Sequence, residues 1–220
     1  MATDSAVRWA TVAGLAAPIL YAGAVILGGI LTSGYSHLHE PISALIQAGA
    51  AAKPLLDPMF ALYNLLLVAF AIGLRPAFAR AGFSVSPLAP AALGVAALAG
   101  LVMWAFPMDP IGAGMTVPGA VHILLAGVQS VSTIVAILWA AIALRRRPGW
   151  RRFSVFSAAC LVVLIAAGGI GAWAAGAGAP FMGLFERITI GAFEVWLFSL
   201  ALLLLKRPRA APAGETAGPP

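Results

Sequence analysis

Phe153 to Ala175 reads FSVFSAACLVVLIAAGGIGAWAA and contains no charged side chain. A helix needs roughly 20 such residues to cross the hydrocarbon core of a bilayer, where every backbone N–H and C=O must be satisfied within the segment. Five further stretches of the 220-residue chain are mostly apolar and of similar length, with charges only at Arg8, Asp57, Glu186, Arg187 and Glu194: Val7 to Leu31, Asp57 to Leu74, Pro87 to Phe106, Val117 to Leu144 and Phe181 to Leu205. The whole chain is 62% hydrophobic and 9% charged, with a mean hydropathy of +1.00. A water-soluble domain is about a quarter charged, so lipid is the main solvent of this one. The expected fold is all-α: a polytopic membrane protein whose residues 1–207 form a single six-helix transmembrane bundle. Abundant Ala and Gly let the helices approach closely where lipid removes any hydrophobic drive between them. No internal repeat is visible, which counts against an inverted-repeat transporter.

Local signals refine the spans. Asp57 before Pro58 reads as the N-cap and first residue of the second helix, and Pro118 falls in the first turn of the fourth. The first span lacks a cleavage site followed by a soluble domain and reads as a retained anchor. Residues 208–220, rich in Pro, Ala and Gly, are expected to be a disordered cytoplasmic tail. Cys160 lies within the fifth span, with no second cysteine to pair with.

Charge sets the orientation. Basic residues in short loops resist translocation. Of the 13 Lys and Arg, 11 fall on one side: Arg8, Arg75, Arg80, the five in the loop RRRPGWRR (145–152), Lys206, Arg207 and Arg209. The expectation is a plasma (inner) membrane protein with both termini cytoplasmic. The net charge of +6 suits a solvated topogenic flank and contact with anionic lipid better than nucleic acid, because no soluble domain presents the bases.

The opposite side gathers Glu40, Asp57, Asp109, Glu186 and Glu194, together with all three histidines. In YSHLHEPISALIQAGAAAKP (35–54) a polar knot of Ser36, His37, His39 and Glu40 precedes Pro41. Beyond Pro41, Ile42, Leu45, Ile46 and Gly49 recur at helical spacing around Ser43 and Gln47, as in a short interfacial amphipathic helix. Neutral imidazoles and a carboxylate are common zinc ligands, which makes His37, His39, His122 and Asp109 a candidate metal set; hydrated or capping roles are the competing reading. Asp109, in FPMDPIGAGM (106–115), is equally a turn former.

His122 and Gln129 are seven apart and so share one stripe of the fourth helix, roughly 10 Å apart in depth, with Thr133 beyond. That ladder fits interhelical hydrogen bonding or a lined cavity. Asp57 and Asn64 form a like stripe on the second helix, beside Tyr63. In GLFERITIGAFEVW (183–196), Glu186 and Arg187 are about 100° apart around the helix, so each needs another partner. Arg187 and Glu194 share a stripe leading toward the bilayer centre. An ionisable group there must be protonated, paired or in contact with water, and is a functional candidate by default.

EPISALIQAGAAAKP, a span with Asn64, FPMD, a His just inside the fourth helix and GLFERI opening the last, in that order, resemble the prokaryotic membrane family catalogued as domain of unknown function 998. The resemblance covers the chain from the first helix to about Leu205. It implies a six-helix inner-membrane protein with an outward polar cluster holding Ser43, Asp109, His122, Glu186 and Arg187 near one another, and it implies no activity. Where the family favours a carboxylate shortly after the equivalent of Ser43, this chain has Ala44.

The preferred functional expectation is an integral membrane protein of accessory or envelope-related role, with an extracytoplasmic polar pocket open to a lipid or small-molecule ligand from the outer side. One alternative is a membrane-embedded, metal-dependent hydrolase or transferase acting on a lipid or envelope substrate, with metal-activated water and Arg187 as an anion clamp. A second is a small carrier or channel using Glu194 and Arg187. Whether the chain is an enzyme is left open by its residues.

Overall fold

The computed structural model describes residues 3–207, so the expectation for 208–220 lies outside the described residues. Among these, six helices and no strand are found: α1 (Asp4–Leu31), α2 (Lys53–Arg80), α3 (Leu88–Met103), α4 (Val117–Ala143), α5 (Arg151–Ala177) and α6 (Met182–Lys206). Each packs on the next, and α6 returns to α1, closing the bundle into a ring.

Five helices are long and apolar enough to cross a bilayer. α3 is shorter, at 16 residues, or about 24 Å of rise. It was expected to reach Phe106 but stops at Met103, because Trp104 to Phe106 fold into turns on the way to the α3–α4 linker. Large apolar side chains point outward around the ring: Ile30 and Ile72 are each 74% exposed and Val117 77%. Such a surface is unfavourable in water and natural in hydrocarbon, so this is a multi-pass membrane protein.

Two further expectations are corrected. α2 starts four residues early, at Lys53, with Pro54 in its first turn. Asp57 therefore is not the N-cap: it lies one turn in and pairs with Lys53 at 2.9 Å. The segment after Pro41 forms only a short 3-10 turn, Ile42–Ile46. That turn packs on α1, α2 and α6, and with Ala24, Ala52 and Leu56 its Leu45 forms a small apolar cluster separate from the main core.

The end of the bundle rich in Arg, here the basic end, is closed by aromatic rings. Trp150, 1% exposed, packs against Phe78, Phe83 and Phe153. Arg147 stacks over Phe83 at 5.1 Å and Arg207 over Trp150 at 4.6 Å. Arg207 also donates to the Gly149 carbonyl at 2.6 Å. These two members of the basic flank, expected to be simply solvated, hold cation–π positions.

α1 and α2 approach at small residues. A Cβ on Gly73 would collide with that of Ala10, and one on Gly14 with the ring of Phe70. Gly73→Leu is expected to lower stability by about 1–3 kcal/mol through overpacking, read as a lower Tm in detergent. An unchanged Tm would show that the two helices can part without cost.

Candidate functional site

At the end opposite the basic flank, the loop between α1 and α2 lies over the bundle and is held by the first turns of α6. A helix begins with N–H groups that have no partner within it. Here the N–H of Leu184 donates to the Leu38 carbonyl at 2.9 Å and that of Gly183 to the His39 carbonyl at 3.4 Å. Gly183 has no room for a side chain, since a Cβ there would fall on the main chain of Glu40.

One turn on, Glu186 and Arg187 complete the latch. Glu186 Oε2 accepts from the N–H of Ile42 at 2.6 Å. Arg187 Nη1 donates to the carbonyls of Glu40 at 3.0 Å and Gly183 at 2.9 Å, and Nη2 donates to the Tyr35 hydroxyl. The guanidinium also lies 5.5 Å from the centre of the Tyr35 ring. The Tyr35 hydroxyl in turn donates to the Pro41 carbonyl at 3.0 Å. Glu40 turns its carboxylate inward on the loop, accepting from the N–H of Ser36 at 2.8 Å. Burial pushes the Tyr35 phenol up despite the opposing charge of Arg187.

His37 and His39 are exposed. The His37 ring stands edge-on to Tyr35 at 5.1 Å and lies against Gly29 of α1. Partial desolvation of the ring, then the charge of Arg187, lowers its basicity below the usual imidazole value.

The loop is tied on its other side to the α3–α4 linker. Ser43 Oγ donates to Met108 Sδ at 2.9 Å, Ala48 N–H to the Met108 carbonyl at 3.0 Å, and Ile111 N–H to Gln47 Oε1 at 3.2 Å. Asp109 accepts from Thr116, at 2.9 Å from the N–H and 2.7 Å from the hydroxyl, while Thr116 Oγ caps α4 by accepting from Gly119 N–H at 3.2 Å. These bonds favour the carboxylate and the start of a helix favours negative charge, so Asp109 is held below its ordinary value of 3.8. A depressed carboxylate contributes stability above its ordinary value and loses it as pH falls through the depressed one. The Thr116 amide is therefore expected to be protected from hydrogen exchange at neutral pH and to lose that protection only at a pH below the ordinary 3.8, where the depressed carboxyl takes up its proton. Asp109→Asn should expose it at neutral pH; an unaltered exchange rate would dismiss the tether.

His122 is buried, with Nδ1 on the Phe106 carbonyl at 2.9 Å. Gln129 donates to the Ala96 carbonyl of α3 at 3.2 Å. Asn64 donates to the Phe60 carbonyl at 2.8 Å and packs on Gly100 of α3, its Oδ1 buried without a partner among the described residues. Thr133 bonds only its own helix, through Ser130. Glu194 is buried, with Oε1 accepting from the Tyr63 hydroxyl at 2.7 Å.

The thirteen predicted residues thus divide into the latch (Ser36, Glu40, Glu186, Arg187), the linker side (Ser43, Asp109, His122), helix-to-helix contacts (Asn64, Gln129), Asp57 paired within α2, the exposed His37 and His39, and the interior Glu194. No hydrogen bond or ion pair joins Asp109 or His122 to Glu186 or Arg187 among the described residues. Nor does any group of three or more His, Cys, Asp or Glu among them stand close enough to hold a metal ion; His37, His39, His122 and Asp109 do not assemble into one.

Two open clefts lie laterally between α2 and α3, and Asp57 alone of the predicted residues lines either. Sequence reading missed Tyr35, Tyr21, Met108, Thr116 and Gly183. A signal existed for the tyrosines: the chain has three, and all fall in the half that carries the carboxylates.

A family model described as a protein of unknown function (DUF998) matches residues 15–203. No curated protein and no solved structure matches the chain.

Proposed function

The chain belongs to this family, and from that premise we propose that it is an accessory component of the cell envelope, a non-catalytic membrane protein that presents a latched outer loop to a partner. The distribution of basic residues supports an outward-facing loop, by the positive-inside rule. The observation that carries the reading is the use of Glu186 and Arg187. The groups a membrane enzyme would aim at substrate are spent on the main chain of the loop itself. Such bonds fix the loop's shape and leave His37, Leu38 and His39 exposed on its outer surface.

The test is a photo-crosslinking side chain at position 39 in living cells. One discrete protein adduct is expected, and it should disappear in Arg187→Gln, where the loop loses its clamp. No discrete adduct, or one indifferent to Arg187→Gln, would overturn the reading. A second reading, a small carrier, is favoured by Glu194, which has one carboxylate oxygen without a partner among the described residues. Solute flux into proteoliposomes that stops in Glu194→Gln would replace the accessory reading.

A further inference from the structure

Glu194 stands at the middle of α6, twelve residues from Met182 and twelve from Lys206, or about 18 Å from either end. It is 8% exposed. One oxygen accepts the Tyr63 hydroxyl at 2.7 Å, and the other, Oε2, is buried with no partner among the described residues. Arg187, the nearest cation on its helix, is committed to Glu40, Gly183 and Tyr35.

The surrounding elements supply no countercharge. From α2 comes the Tyr63 phenol, and from α1 Tyr21, whose ring lies 4.9 Å from that of Tyr63. α5 brings Ser157, hydrogen-bonded to Trp196, and the neutral Cys160. The one titratable group of α4, His122, lies near its loop end, bonded to Phe106. The loop's 3-10 turn reaches α6 at Glu186. A bare carboxylate in hydrocarbon is far costlier than one carrying a proton, and a carboxyl with a free oxygen has a place for that proton.

We propose that Glu194 is a reversible proton-binding site inside the membrane, loaded from the loop end. Hydronium gives its proton to Oε2, forming one O–H bond and leaving water; release reverses the step, and Tyr63 holds Oε1 throughout. Direction follows from what lies on each side. Toward the loop stand two phenols, Tyr63, whose hydroxyl bonds Glu194, and Tyr21, whose ring packs on that of Tyr63, on the side of the bundle that carries the latch. Toward the basic end, Trp196, Leu197 and Leu200 are fully buried and close the bundle. A site reached from one end binds and returns protons without conducting them. The proposal goes beyond the accessory reading and does not depend on it.

The test uses the full chain in lipid nanodiscs with dicyclohexylcarbodiimide, an apolar reagent that attacks protonated carboxyls, followed by peptide mass mapping. An adduct on Glu194 is expected, its rate falling by up to about tenfold per pH unit once the pH passes that at which the carboxyl loses its proton. Glu194→Gln, which keeps an acceptor for Tyr63, should show none. Tyr63→Phe should move the pH of half-maximal labelling by about one unit, since it removes the group's single hydrogen bond. If Glu194→Gln does not fold, the infrared carbonyl band of a protonated carboxyl in the wild type, replaced by carboxylate bands as pH rises, decides instead. A folded protein unlabelled at Glu194 at every pH, a labelling rate flat with pH, or an infrared band that does not titrate would overturn the proposal.

Discussion

Arg187→Ala frees the loop between α1 and α2 and lowers its attachment by about 3 kcal/mol, the scale of losing charge-assisted hydrogen bonds in a partly buried site. The side chain supplies bonds to two carbonyls and a phenol as well as a face for the Tyr35 ring. Its removal leaves the Glu40 carbonyl accepting only the long Tyr35 bond of 3.4 Å. A loss of this size raises the open population roughly a hundredfold. Hydrogen exchange at Ile42 and Leu184 reads it directly, because both amides donate across the latch. Arg187→Lys should recover less than half of the protection, since an ammonium cannot reproduce the fork of a guanidinium. Unchanged exchange at both amides in Arg187→Ala would show that the backbone contacts of α6 hold the loop unaided.

Gly183→Val is expected to act on the same latch from its other side. The new Cβ meets the main-chain atoms of Glu40, and backbone cannot swing aside as a flexible side chain would. The loop must lift or α6 must shift, at a cost of about 1–3 kcal/mol or somewhat more. Because Gly183 and Arg187 both act on Glu40, the two substitutions should not be additive: the double variant should lose clearly less than the sum of the singles. Thermal unfolding of the four proteins in one detergent measures this. Strict additivity would mean that the glycine and the arginine hold different parts of the loop.

How much of this was legible in advance follows from what each interaction recognises. A partner given by residue type leaves a trace in sequence, as do Lys53 and Asp57 at helical spacing. Even so, Asp57 misled, because Asp-Pro reads locally as a helix start while Lys53 and Pro54 begin the helix one turn earlier. The latch has no such trace. Arg187 bonds a carbonyl 147 residues away, and Glu186 an amide 144 away. Every residue but proline carries the same main-chain groups, so nothing in Glu40 or Ile42 announces the contact.

The sequence by itself determined the solvent, the number of helices and the family, because hydrocarbon demands that each span be apolar and satisfy its own backbone. It also placed five of the seven carboxylates and all three histidines in one half of the bundle. Only the tertiary structure decided how those groups are used. It turned Glu186 and Arg187 onto the chain's own loop, sent Asp109 to the cap of α4, and left Glu194 buried with an oxygen free. The reason is physical: a buried polar group takes whichever partner packing brings within about 3 Å, and packing is a property of the assembled helices rather than of any one of them.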